Sequence, residues 1–104
     1  MVYNNVLDAV GNTPMIRLNR MVDEDSAEIL VKFEAVNVGG SIKTRTALNM
    51  ILDAEEKGII KEDTIIVDPT SGNQGIGLAL VGAVRGYKTV IIMPDSVSER
   101  EESL

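Results

Sequence analysis

Thr64-Ile65-Ile66-Val67-Asp68-Pro69-Thr70-Ser71-Gly72-Asn73-Gln74-Gly75-Ile76-Gly77 runs from an apolar β-rich stretch into a glycine-interrupted polar loop and then into a helical pattern. Residues 64–68 read as a buried strand ended by Pro69. From Gly75 to Arg85 the side chains are apolar all round, as in a helix covered on most sides, and Gly86 ends it. Lys88-Thr89-Val90-Ile91-Ile92-Met93 is then a further strand, stopped by Pro94.

Upstream the same alternation holds. Glu28-Ile29-Leu30-Val31-Lys32-Phe33-Glu34 reads as a strand, and Gly39-Gly40-Ser41 breaks it. Ser41 is placed to cap a helix over 41–57, because its hydroxyl can accept a free first-turn N–H. Ala47, Met50, Ile51 and Ala54 fall on one face of that helix, and Gly58 supplies a left-handed stop. Strand, helix, strand, helix, strand with short connections predicts an α/β fold, a parallel three-layer βαβαβ unit. Apolar strand centres fit a sheet covered on both faces. Asp23-Glu24-Asp25-Ser26 reads as a solvated turn, Glu99-Arg100-Glu101-Glu102 as the start of another helix, and Met15, Met21, Met50 and Met93 as core filler.

Composition narrows the chemistry. The 104 residues hold ten Lys and Arg, sixteen Asp and Glu, and no Cys, His or Trp. One small domain is expected, burying ~65% of its unfolded surface. Thiolate nucleophiles, zinc ribbons and imidazole bases are excluded, which leaves Ser, Thr, Lys and carboxylates. A net charge of −6 argues against nucleic-acid binding. No apolar run reaches the ~20 residues of a membrane span and no leader pattern follows Met1, so a soluble cytoplasmic protein is the expectation.

Ligands of parallel sheets bind beyond the carboxyl ends of the strands. Two segments there carry unusual residues. In Asn37-Val38-Gly39-Gly40-Ser41-Ile42-Lys43 the lysine falls in a first helical turn. Helix N-terminal N–H groups disfavour a cation there by ~0.3–1 kcal/mol. That suits an amine that must be neutral to attack a carbonyl, although a surface lysine beside a glycine turn gives the same pattern. In the loop 69–77, N–H groups and hydroxyl or amide side chains converge at a helix start, an anion site suited to phosphate or carboxylate. The alternative is glycines needed only for a tight turn and close packing. The order G-x-x-G-x-G is not the dinucleotide fingerprint, and the first segment is not a Walker A loop.

Gly11-Asn12-Thr13-Pro14-Met15-Ile16-Arg17-Leu18, the 37–43 and 69–77 segments, and Met93-Pro94-Asp95 occur in an order and spacing that resembles the amino-terminal part of cysteine synthase (O-acetylserine sulfhydrylase), a pyridoxal-phosphate family of fold type II. The resemblance implies pyridoxal 5'-phosphate as cofactor, with Lys43 as its Schiff-base lysine and catalytic base and Asn73 contacting the ring hydroxyl. It implies that Thr70, Ser71, Gly72 and Gln74 grip the substrate carboxylate, with no metal. The implied reaction is β-replacement on an O-activated serine by a sulfide-type nucleophile, in a cytoplasmic homo-oligomer, typically a dimer.

Three positions depart from the family pattern, which usually has Pro at Val38, Asp at Thr44 and Thr at Gln74. Cystathionine β-synthase and serine or threonine dehydratase share the framework. The resemblance covers roughly the first third of a family member. The expectation is therefore a truncated enzyme that keeps the cofactor lysine, lacks the phosphate cup, exposes apolar surface and does not turn over. Residues 1–25 are expected to pack on the absent remainder, and 26–104 to form the α/β unit. The competing readings are a non-catalytic self-associating or partner-binding module and a carboxylate-binding domain in which Lys43 is dispensable.

Overall fold

The computed structural model describes residues 1–69 and 72–93. The Thr70 and Ser71 assignments, the Pro94-Asp95 end of the last motif and the acidic 99–102 helix start lie outside the described residues.

Strand β1 (Met15–Arg17) is followed by β2 (Leu30–Lys32), helix α1 (Lys43–Glu56), strand β3 (Ile65–Asp68), helix α2 (Asn73–Arg85) and strand β4 (Lys88–Ile91). Short 3₁₀ turns occupy Val6–Ala9, Glu34–Val36 and Val38–Gly40. The β3–α2–β4 portion is the parallel unit expected from the sequence, with Ile65 opposite Lys88 and Val67 opposite Val90.

The upstream strand has a different partner from the one a continuous parallel sheet would give it. β2 pairs antiparallel with β1, Ile16 opposite Val31, and forms a separate two-stranded ribbon. The acidic turn explains the reversal. The Ser26 N–H donates to the Asp23 carbonyl at 3.1 Å and Ser26 Oγ accepts the Asp23 N–H at 2.9 Å, so the chain folds back on itself. The ribbon extends through Leu18 N–H to Ile29 O and Phe33 N–H to Pro14 O.

Both helix stops have the geometry their glycines allow. Gly58 and Gly86 sit at φ 70° and 86°, left-handed backbone that other L-residues avoid. α2 begins two residues earlier than its apolar run, at Asn73. Its buried positions are Gly75, Gly77, Leu78, Val81 and Gly82, while Ile76 and Val84 are exposed, so it is covered on part of its circumference only.

The core lies between the helices: Ala47 and Ile51 of α1 against Leu78 and Val81 of α2. Leu7, Leu48, Ile60, Ile66, Leu80 and Tyr87 pack around it. At the far end of the helix pair, Arg85 donates to Glu55 from Nη2 (2.6 Å) and Nε (3.2 Å), and Tyr87 Oη donates to the same carboxylate at 2.6 Å. Met15, Met21, Met50 and Met93 are all exposed, which corrects their expected place in the core. They lie on the β1–β2 ribbon, the following loop, the rim of α1 and the end of β4, surfaces that no described element covers. Ile65, Val67 and Val90 are exposed as well, on the side of the β3–β4 sheet turned away from α2. The apolar exposure expected of this chain is therefore present.

Candidate functional site

Lys43 is the first residue of α1. Ile42 before it has helical dihedrals, and Ser41 is extended at φ −160°, ψ 173°. Ser41 Oγ accepts the Lys43 N–H at 3.2 Å, the capping bond its position predicts. The Lys43 side chain is exposed, and among the described residues its amine has neither an ion pair nor a hydrogen bond.

The approach of α2 fixes where that lysine sits. A β-carbon at Gly77 would stand 3.1 Å from the Lys43 carbonyl oxygen and 3.2 Å from both Thr44 Cα and Ala47 Cβ. A side chain here would be held tighter than nearly all real β-carbon contacts. One turn back from Gly77 on the same helix is Asn73, exposed, in the first turn. The Gly77 contact thus sets the start of α1 against α2 one turn past Asn73.

Gly72 precedes α2, and among the described residues nothing lies within 4 Å of the β-carbon position there. A cleft of about 250 Å³ lies alongside, lined by Gly72, Gly75, Ile76, Ala79, Ile91 and Met93. Gln74 is half-buried and turned toward α1, its Nε2 3.8 Å from Met50 Sδ. Thr44 is fully buried, its hydroxyl without a partner among the described residues and packed under Gly39. The residue that replaces the family's aspartate therefore faces the protein interior.

An exposed amine at the start of α1 and an exposed amide in the first turn of the helix it packs against are residues that could hold a carbonyl cofactor. Lys43 would bond it, Asn73 would contact its ring, and the N–H groups of the α2 first turn suit an anionic group.

Sequence reasoning missed the residues that hold the lysine loop in place. Asn37, 5% exposed, accepts the Gly11 N–H and the Val38 N–H on Oδ1, each at 2.9 Å, and donates from Nδ2 to the Ser41 carbonyl at 3.0 Å. Arg45, two residues past Lys43, donates from Nε to Glu34 Oε1 at 2.5 Å and from Nη2 to Gly11 O at 2.8 Å and Thr13 Oγ1 at 3.2 Å. Thr13 Oγ1 donates to Glu34 Oε2, and Lys32 Nζ donates to Thr13 O at 2.7 Å. The Arg45 guanidinium, with help from the Thr13 hydroxyl, lowers the Glu34 carboxyl to about 2. No local pattern announces partners 11 to 34 positions apart. The available signal was Thr13, Asn37 and Arg45 standing inside or beside the quoted motifs.

The profile of the family described as "Pyridoxal-phosphate dependent enzyme" matches residues 6–104. The chain is 53% identical over 98 residues to a cysteine synthase of a Flavobacterium species, covering 94% of this chain and 32% of that one. It is 44% identical over 101 residues to the cystathionine beta-synthase of Dictyostelium discoideum, covering 97% of this chain and 20% of that one. The crystal structure of O-ureido-L-serine synthase superposes with a TM-score of 0.89 at 47% identity, over 99% of this chain and 32% of that one. The chain spans about a third of the length of the curated cysteine synthases it matches.

Proposed function

The chain belongs to the pyridoxal-phosphate-dependent enzymes, and from that membership we propose that it forms the lysine-bearing portion of a β-replacement enzyme making cysteine from an O-activated serine. The observation that carries this reading is the unpartnered Lys43 amine in the first turn of α1, held by the Gly77 contact against the helix that begins at Asn73. The identity to cysteine synthases supports the choice of substrate class.

Pyridoxal phosphate, when bound, supplies an electron sink for a carbanion at the substrate α-carbon. The chain's own residues do the rest. Lys43 would hold the cofactor and would take the α-proton of the bound amino acid on Nζ. Asn73 would contact the ring through its side-chain amide. Gly72 and Gln74, with Thr70 and Ser71, bind the substrate carboxylate on the N–H groups that open α2. Gln74 is a longer amide than the family's threonine, and its side chain lies against Met50 of α1. The phosphate grip is expected from the part of the fold that the relatives have beyond the stretch matched here. The exposed side of the β3–β4 sheet supports the proposal that the remaining fold packs there.

Reduction with borohydride after addition of pyridoxal phosphate, followed by peptide mapping, tests the reading. The expected result is a pyridoxyl group on Lys43 in excess over Lys32, Lys57, Lys61 and Lys88, absent in Lys43→Ala. Equal labelling of all five lysines would overturn it.

A further inference from the structure

The two glycines between Val38 and Ser41 have no side chains of their own to hold the loop. Both have positive φ (83° and 85°), and while Gly39 lies over Thr44, Gly40 has open space around it. Yet this loop delivers Lys43. A flexible loop would spread the amine over many positions, and an amine displaced by 1 Å reacts more slowly by about two orders of magnitude.

We propose that Asn37 is the positioning residue for Lys43, acting by closing the loop 37–41 into a ring and locking that ring to the Gly11 segment. The inference rests on the cofactor-lysine reading above. Four bonds of Asn37 support it. Asn37 Nδ2 donates to the Ser41 carbonyl, which fixes the peptide plane immediately before α1. Asn37 Oδ1 accepts the Val38 N–H at the other end of the ring, and the Gly40 N–H donates to the Asn37 carbonyl at 2.8 Å across it. The same Oδ1 accepts the Gly11 N–H from a segment 26 residues away. Ser41, its carbonyl held, turns its hydroxyl to the Lys43 N–H.

Both faces of one buried amide are thereby used, and the residue cannot be replaced by its isostere without a specific loss. Aspartate keeps the two bonds accepted by Oδ1 and loses the one donated to Ser41, placing an oxygen against an oxygen. Arg45 adds a second anchor from the far side, through Gly11 O and Glu34. The chemistry of the loop thus depends on a hydrogen-bond donor at position 37.

The test compares wild type, Asn37→Ala and Asn37→Asp by amide hydrogen exchange and by the share of borohydride-fixed pyridoxyl label found on Lys43 relative to Lys57 and Lys61. In Asn37→Asp the Gly11 and Val38 amides should stay protected, the Lys43 amide should exchange faster, and the Lys43 share should fall on the order of tenfold. The urea midpoint should fall as well, because the carboxylate faces the Ser41 carbonyl at a buried position, so the exchange pattern and the label share are the deciding readouts. Wild-type exchange at Lys43 with a wild-type label share would overturn the proposal, whatever the alanine variant does. If Asn37→Ala fails to fold, the aspartate variant decides alone. If wild type itself shows no preference for Lys43, the cofactor-lysine reading fails. The exchange rate of the Lys43 amide in Asn37→Asp then settles the positioning of the loop by itself: faster supports it, unchanged overturns it.

Discussion

The backbone oxygen of Lys43 lies 3.1 Å from the point a β-carbon would occupy at Gly77, so the turn that carries the amine rests directly on the second helix. Alanine at position 77 gains about 1 kcal/mol of helix propensity. It must also push against Thr44 Cα and the Lys43 carbonyl, backbone atoms that cannot swing aside. Overpacking of that kind costs ~1–3 kcal/mol. Gly77→Ala is therefore expected to lower the urea midpoint and to reduce the pyridoxyl label on Lys43, both absent from Glu56→Ala at an exposed position of α1.

Thr44 is 0% exposed and its hydroxyl has no partner among the described residues. A buried polar group left unsatisfied costs ~1–3 kcal/mol. Thr44→Val keeps the shape and removes the oxygen, so it should raise stability by about 1 kcal/mol in chemical denaturation. An unchanged or lower midpoint would show that the hydroxyl is satisfied in solution.

Glu34 titrates at about 2 in the folded chain against 4.5 for an ordinary glutamate, chiefly through its bond from Arg45. A depressed carboxyl adds stability that is complete above its unfolded value and disappears as pH falls through the folded one. Between pH 5 and pH 2 the urea midpoint should decline, and Glu34→Gln should flatten part of that slope. The remainder belongs to Glu55, which Arg85 and Tyr87 also hold below the usual range.

The opposite limb comes from Tyr87, whose hydroxyl is pushed up from 10.0, first by its bond to Glu55. A raised acid contributes below its unfolded value and is lost as pH climbs through the folded one. Ultraviolet titration of the phenolate, in a Tyr3→Phe background, should show Tyr87 ionising later than free tyrosine. Glu55→Gln should bring it back toward 10.0.

Much of this fold was legible in the chain. The helices announce themselves through apolar spacing and through Gly58 and Gly86, because those signals are local to a few residues. The proposal for Lys43 and the 69–77 loop rests on signals of the same local kind. Strand partners are another matter. Residues 30–32 look like any β-rich stretch, and only the return of the chain through Ser26 decides that they pair with 15–17. Asn37 and Arg45 were overlooked because a hydrogen bond across 26 or 34 positions leaves no periodicity to read. The methionines misled because oily side chains suggest a core, whereas here they line surfaces without a cover.

The β3–β4 ribbon has two strands and, among the described residues, no third. Each strand therefore presents an outer row of main-chain donors and acceptors, flanked by the exposed Ile65, Val67 and Val90. Such rims are templates for strand addition by another molecule. Concentrating the isolated 104-residue chain should thus drive turbidity and fibrous deposits, and a lysine or proline placed on an outer rim is the direct remedy for anyone purifying it.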